Sequence, residues 1–254
     1  VPRNPALQCR CSSLKGEKMK LRKVNPQTYE LFENNQSLGT ISTYRNLFHD
    51  SCIYLKFNLI KIPTTSPFAE IRKQEQKPLQ VMIESSHTKL VDFMLKNGFK
   101  CKRYCFEAEV SATDLKHPLR TNFKVVPFIA TDPIHSKCCD FLYKYYKTTH
   151  ELVSPLTASK NEFITEVPTR SGYYSLDKQG RLNNVAFTEN NEIAYLCSVD
   201  PTNCSSFIDS LLIKIFKKYS TTFFEADDTD WAASELLDKF NYKKNESFNT
   251  YIYE

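Results

Sequence analysis

Cysteine and histidine carry the most reactive side chains of this sequence, and their spacing decides what chemistry they could do. The 254-residue chain has nine cysteines and five scattered histidines. The closest cysteine pairs are Cys9/Cys11, Cys101/Cys105 and Cys138/Cys139, and no two of these pairs have the spacing of zinc-binding knuckles. Because the count is odd and the chain is long enough to bury its own core, we expect free thiols in a reducing compartment. No metal site is predicted.

Two short stretches combine other residue types that could do chemistry. His150 stands beside Glu151, as in a proton-transfer pair, and residues 143–147 read Tyr-Lys-Tyr-Tyr-Lys, as in a surface that stacks nucleic-acid bases. At helical spacing, however, the second pattern is more typical of a buried tyrosine stripe with lysines outside. A lone histidine near a helix end is more often structural. No Ser-His-Asp or Cys-His arrangement has a supporting local signature.

Glycine content and charge exclude several classes of function. Only five residues are glycine and no two lie within six positions, so a dinucleotide fingerprint, a P-loop and a kinase glycine-rich loop are all excluded. The net charge of +5 is concentrated in residues 1–23, and the remainder is nearly neutral. Nucleic-acid binding as the main task therefore lacks its electrostatic footprint. No apolar run is long enough to cross a bilayer, which predicts a cytoplasmic protein without a membrane partner.

The first 18 residues differ from the rest of the chain. They show neither helical nor strand periodicity, whereas MKLRKV from Met19 predicts the first strand. Lys15–Met19 could also be encoded by a purine-rich stretch like a bacterial ribosome-binding site before a start codon. We therefore expect a bacterial protein that begins at Met19, with residues 1–18 as a disordered extension.

The two halves of the chain end alike. Residues 78–110 and 220–254 each predict a buried strand, an amphipathic helix, an aromatic residue (Phe99 or Tyr242) and a further strand. The alternative is that two unrelated strand-helix-strand units follow one another. Repetition predicts two domains, at 19–117 and 122–254, with a boundary at Pro118–Thr121.

The second half shows the fuller pattern. Residues 124–254 predict the order β-α(α)-β-β-β-α-β-α-β, and the first half predicts a shortened version. That version has a hairpin around ELFENNQ, a strand over 52–62 and a short helix over 68–74.

This order and the last helix resemble the GNAT superfamily of N-acetyltransferases over nearly the whole chain. The family pattern N-x-x-A-x-x-L-Y-x-K-x-G-F falls on Asp230, Ala233, Leu236, Leu237, Lys239, Asn241 and Tyr242. In the first half it falls on His87, Leu90, Phe93, Met94, Lys96, Gly98 and Phe99. The resemblance implies an α/β (α+β) fold with two GNAT-like domains, each a mixed, mostly antiparallel sheet flanked by helices. The N-terminal domain would be a degenerate copy without a cofactor.

The resemblance also implies acetyl-CoA as co-substrate, bound beside the fourth strand of the second half. The family's Q/R-x-x-G-x-G/A loop corresponds to Asp200–Phe207, which has no glycine and no basic residue, so weak binding is expected. Asn203 or Ser205 would cap the helix that follows. The residues implied for the cofactor are Cys197, Ser198, Val199, Asn203, Cys204, Ser205, Ser206, Asp230 and Ala233.

The implied reaction is direct attack of a small-molecule or peptide amine on the acetyl thioester. Glu192, at the start of the fourth strand, is the candidate base, and its alternative is a solvated turn carboxylate. The family's usual acid, a tyrosine, is replaced by Leu237 and by Met94, so no acid is predicted. The alternative function is a catalytically degenerate pair of GNAT domains that binds a ligand or a partner. The sequence indicates neither the acceptor nor the oligomeric state.

Overall fold

The computed structural model describes residues 19–120 and 123–254. The expected extension over residues 1–18 lies outside these ranges, as does Thr121 at the expected domain boundary. The strands are β1 Lys20–Asn25, β2 Thr28–Glu33, β3 Gln36–Tyr44, β4 Ile53–Leu59, β5 Leu79–Glu84, β6 Lys100–Ser111, β7 Val126–Ile129, β8 Ser171–Leu176, β9 Leu182–Glu189, β10 Glu192–Ser198, β11 Thr221–Asp227 and β12 Phe248–Tyr253. The helices are α1 Phe68–Glu75, α2 Thr88–Lys96, α3 His135–Thr149, α4 Lys160–Glu166, α5 Pro201–Phe216 and α6 Trp231–Leu237.

Local sequence signals place most of these elements. The predicted hairpin at ELFENNQ is formed by β2 and β3, and its two turn residues, Asn34 and Asn35, have φ angles of 50° and 62°. Asparagine tolerates this left-handed conformation better than most residues, and two such residues match the twist of a tight hairpin. The predicted short helix over 68–74 is α1, and the three strands predicted in a row in the second half are β8, β9 and β10.

All twelve strands join one sheet in the order β1-β2-β3-β4-β5-β12-β6-β11-β10-β9-β8-β7. Neighbouring strands are antiparallel except for β4/β5 and β10/β11, which are parallel. Helices flank this sheet, so the α/β, mostly antiparallel fold class predicted from sequence is confirmed.

The sheet is continuous because the two halves exchange their last strands. β6 of the first half pairs with β11 of the second, and β12 pairs with β5 of the first half and with β6. The sequence pattern predicts both strands but not this exchange, because pairing depends on tertiary contacts and not on local propensity. The exchange places β6 next to β11, with β10 on the far side of β11.

Two groups of buried apolar residues support the two ends of the sheet. The first packs around Phe68, whose ring meets that of Phe99 edge to face at a centroid distance of 4.8 Å. The second packs around α5 and α6 and includes Phe224 and Phe240, whose centroids are 5.9 Å apart. The helices in both groups therefore bury apolar faces against the sheet, and this packing holds the strands in place. Across the described ranges, every helix is too short or too polar to cross a membrane.

Candidate functional site

The strands β10 and β11 separate immediately after they meet. Their only registered pair is Glu192 with Phe223, at the start of β10. On the other side of β10 the register with β9 shifts between Ile193 and Tyr195, so Ala194 has no partner on either neighbour. Such a bulge leaves backbone N–H and C=O groups available to a ligand. Cys197, Ser198 and Val199, which the resemblance implies for the cofactor, lie further along β10 and directly after it.

A cavity of about 540 Å³ lies at this opening. β6, β10 and β11 line it, together with α3 and with residues near His49 and Ser154. The exchanged strand β6 contributes Arg103, Cys105 and Glu107. The cavity is therefore built from both halves of the chain.

Three carboxylates form one wall of this cavity, which we call the acidic wall: Glu107, Glu192 and Glu225. Glu107 and Glu225 are directly opposite each other on the antiparallel strands β6 and β11. Like charges in that position destabilise a sheet. Across residues 19–120 and 123–254, none of the three makes an ion pair. An unpaired acidic wall beside open backbone suits a cationic ligand.

Glu225 is the member of the acidic wall with a perturbed carboxyl group. Solvent reaches the side chain, but protein atoms crowd it closely enough that desolvation raises its pKa. The negative charges of Asp227, Glu107 and Glu192 raise the pKa further. A carboxylate with a raised pKa is a better proton acceptor at neutral pH than an ordinary glutamate. The structure thus offers Glu225 as a candidate base beside the predicted Glu192.

A buried charged group lies beside the acidic wall, further along β6 and β11. Arg103 Nη1 is 3.2 Å from Asp227 Oδ2, and His150 Nε2 is 3.6 Å from the same oxygen. Burial raises the pKa of Asp227, and the Arg103 charge acts against that shift. Burial also lowers the pKa of His150 to about 3, helped by the nearby positive charge of Arg103. His150 is therefore neutral at physiological pH, and Arg103 carries the positive charge of this group.

Tyrosines of α3, His150 directly after it, and His49 cover the cavity. The Tyr146 ring stacks on His150 at a centroid distance of 3.8 Å, and the Tyr146 hydroxyl is 3.1 Å from His49 Nε2. Lys144 and Lys147 point to solvent. The prediction of an inward tyrosine stripe with lysines outside is confirmed, and His150 is paired with Tyr146 and Asp227, not with Glu151.

The start of α5, where the resemblance places the cofactor's pyrophosphate, is arranged differently from the prediction. The helix begins at Pro201 and its N-cap is Asp200, so the predicted caps Asn203 and Ser205 are wrong. The Asp200 carboxylate accepts hydrogen bonds from Thr202 N at 2.9 Å and from Asn203 Nδ2 at 2.5 Å. The reason is local: an aspartate directly before a proline at the first helical position is a strong helix start.

The hydrogen-bond donors that a pyrophosphate would need at the start of α5 are already bonded within the protein. The N–H groups of Asn203 and Cys204 both bond to the Asp200 carbonyl oxygen. Cys204 is fully buried, and Lys239 Nζ is committed to Ser205 Oγ at 2.7 Å and to Asp209 Oδ1 at 2.6 Å. The start of α5 therefore does not fit a pyrophosphate.

The remaining residues predicted for the cofactor differ in their accessibility. Cys197 and Ser198 are 1% exposed, whereas Val199 is 64% exposed and Ser206 is half-buried. Cys197 lines the cavity but burial raises its pKa, so its thiol stays protonated. Of the two residues at the last helix, Ala233 lines the cavity beside Leu236.

Asp230, the other predicted residue of the last helix, is used within the protein. It caps α6 by accepting from Ala232 N at 3.0 Å and Ala233 N at 3.2 Å. The same oxygen accepts a hydrogen bond from the Tyr145 hydroxyl at 2.5 Å. Burial raises the pKa of Asp230 against these hydrogen bonds. The Asp230 carboxylate therefore links Tyr145 of α3 to the first turn of α6, next to the cavity.

Sequence reasoning missed Arg103, Glu107, Glu225 and Asp227. One signal was available: STTFFEAD places Glu225 and Asp227 on one face of a strand and the apolar Phe224 and Ala226 on the other. No local signal could show that β6 brings Arg103 and Glu107 to the same place. Within the two described ranges, no three His, Cys, Asp or Glu side chains are grouped as metal ligands.

Comparison with known proteins identifies the fold. No protein-family model matches the chain, and no curated protein matches it. Among solved structures, a GCN5-related N-acetyltransferase from Sphaerobacter thermophilus aligns with a TM-score of 0.53 and 6% identity, covering 91% of this chain and 80% of that one. A GNAT-family acetyltransferase from Colwellia psychrerythraea aligns with a TM-score of 0.52 and 11% identity, covering 89% and 85%. The chain is similar to these proteins in fold, over most of both lengths.

Proposed function

We propose that this GNAT-fold protein is an N-acetyltransferase that acetylates an amine in the cavity beside β10 and β11. One observation carries the proposal: parallel strands that part at Glu192/Phe223 open into a cavity with an unpaired acidic wall. Two structural neighbours of the same fold are acetyltransferases by name. The acceptor amine would enter as an ammonium ion, which the acidic wall attracts and orients.

Acetyl-CoA would supply the electrophile, the carbonyl carbon of an acetyl thioester. The gap between β10 and β11 fits an extended, amide-containing arm, because unpaired strand edges accept such chains by backbone hydrogen bonding. The start of α5 does not fit the pyrophosphate, so we propose that this part of the molecule is held elsewhere or weakly. Cys197, Val199 and Ala233 would then lie along the thioester end, while Cys204 and Ser205 would not contact the co-substrate by their side chains.

Glu225 would accept the proton that makes the amine nucleophilic. The raised pKa of its carboxyl group suits this role, and Glu192 at the mouth of the gap would pass the proton to water. The neutral amine attacks, a C–N bond forms, and negative charge develops on the carbonyl oxygen. The unpaired backbone around Ala194 would stabilise that charge. The C–S bond would then break, the attacking nitrogen would lose its second proton, and the thiolate would take up one proton. The net reaction releases one proton, equivalent to the one that Glu225 accepts from the ammonium ion.

We also propose that the chain contains two copies of one GNAT unit, the N-terminal one degenerate. When each strand of the first half is exchanged with its counterpart in the second half, β1 with β7 through β6 with β12, the sheet order reads the same in reverse. A duplication with exchanged last strands would produce this symmetry. The first copy has its own parallel pair, β4 and β5, joined only at Ile53/Leu79 and Tyr54/Gln80. Its role would be to supply β6 to the cavity.

The proposal is tested by incubating the full chain with acetyl-CoA and a panel of primary amines. Products are detected by mass spectrometry, because nine cysteines would react with a thiol reagent for released CoA. Acetylation of at least one amine is expected, with loss of activity in Ala233→Phe, whose added ring would fill the cavity. A matched control, Ala158→Phe, also adds a ring at a buried alanine but lies outside the cavity lining. Absence of any acetylated amine would reject the proposal.

A further inference from the structure

Arg103 has hydrogen-bond donors that nothing in the described chain satisfies. Arg103 is only 6% exposed, and it lines the cavity. Nη2 donates a long bond of 3.4 Å to Thr250 Oγ1. Nη1 lies 3.2 Å from Asp227 Oδ2 but is not oriented for a hydrogen bond, and Nε has no acceptor either. Of the five N–H donors of a guanidinium, the three on Nε and Nη1 are therefore free.

Free donors on a buried guanidinium indicate the chemistry of a ligand. Buried N–H groups are nearly always paired, so an acceptor is missing from this site. Guanidinium donors bind carboxylate or phosphate oxygens best. Asp227 and the acidic wall, which lie along the same strands as Arg103, would repel a phosphate more strongly than a carboxylate, because a phosphate carries more negative charge. A single carboxylate fits both constraints.

The acidic wall and Arg103 are placed to bind opposite charges of one molecule. Arg103 and Glu107 are four residues apart on β6, with Cα atoms separated by roughly 13 Å in an extended strand. Their side chains leave the same face of the strand, and the cavity of about 540 Å³ lies along it. A small molecule with an amine at one end and a carboxylate at the other would meet both groups.

We infer that the acceptor is an amino acid-type molecule whose carboxylate binds Arg103 and whose amine lies against Glu107, Glu192 and Glu225. The inference rests on the proposed function and specifies its substrate class. It makes Arg103 the specificity-determining residue of the cavity, contributed by the N-terminal half to the reaction of the C-terminal half.

Binding is tested by calorimetry without acetyl-CoA, on the full chain. The probes are protein amino acids, each paired with its decarboxylated amine, for example L-lysine with cadaverine. At least one amino acid is expected to bind about 10- to 100-fold tighter than its decarboxylated partner, the range for hydrogen bonds to a charged group. Arg103→Met should abolish that ratio, because only the amino acid of each pair has a carboxylate for Arg103 to bind. Arg181→Met, which removes an exposed arginine far along the chain, should preserve the ratio.

Arg103→Met leaves the buried Asp227 carboxylate without its positively charged partner, which destabilises the fold. A second variant that keeps the fold is therefore required. The double variant Arg103→Met/Asp227→Asn removes both charges and serves that purpose, with circular dichroism to check folding. Equal affinities within every pair, a ratio that survives in the folded double variant, or binding by no amino acid would each overturn the inference. Acetylation of decarboxylated amines without preference would reject the inference and leave the proposed function. Preference in binding with no acetylation of any amine would reject the proposed function and leave Arg103 as a carboxylate site.

Discussion

Replacement of Glu225 by glutamine should slow acetyl transfer by about 10²-fold at neutral pH. General-base catalysis contributes about 10²- to 10⁴-fold, and Glu107 and Glu192 in the same wall would partly replace the lost carboxylate, so the low end applies. Glutamine keeps the shape and removes only the basic function. Glu109→Gln is the matched control, because Glu109 lies on the same face of β6 opposite Phe223 but does not line the cavity. It should retain wild-type kcat/KM.

The pH dependence of kcat/KM provides the sharper result. The reaction needs Glu225 deprotonated, so activity falls as the pH drops through its pKa, which burial and neighbouring carboxylates raise above the ordinary value. Glu107→Gln removes one of those negative charges, which lowers the pKa of Glu225. The acid limb of the profile should therefore move to lower pH in Glu107→Gln. An acid limb that stays in place or moves to higher pH would refute Glu225 as the base.

Three further predictions concern binding and stability. Asp200→Ser keeps an N-cap but removes the negative charge, so calorimetry should show several-fold tighter binding of acetyl-CoA. Asp230→Ala removes the α6 cap and leaves the Tyr145 hydroxyl unpaired, and urea unfolding should show a loss of about 2 to 3 kcal/mol. In Gly172→Ala the new Cβ would lie 2.0 Å from the Ala186 carbonyl oxygen, so a loss of roughly 1 to 3 kcal/mol is expected in the same assay.

The elements of the fold could be predicted because their signals are local. The Asn34-Asn35 turn and the amphipathic helix before Phe99 each depend on residues within about ten positions. Apolar residues recur at different periods in strands and in helices, so the sequence distinguishes the two kinds of element. The strand order depends on which backbone edges meet, and the exchange of β6 and β12 depends on contacts between residues more than 100 positions apart. No local pattern carries that information.

The residues of the candidate site also fall into two groups, those that the sequence could place and those that it could not. Glu192 and Ala233 could be placed at the opening because a family pattern assigns them to one strand and one helix. Arg103 and Glu107 reach the cavity only through the exchanged strand, and their sequence context resembles an ordinary amphipathic strand. The cap at Asp200 could have been predicted, since aspartate before proline is a helix-start signal in its own right.

The position of the bound thioester tests the central claim most directly. A crystal structure of the full chain with acetyl-CoA is expected to show the thioester carbonyl between β10 and β11, with its oxygen within hydrogen-bond distance of the backbone around Ala194. The acetyl group would then face Glu225 in the cavity. A thioester bound in the second gap, between β4 and β5, or bound outside both gaps, would contradict the account.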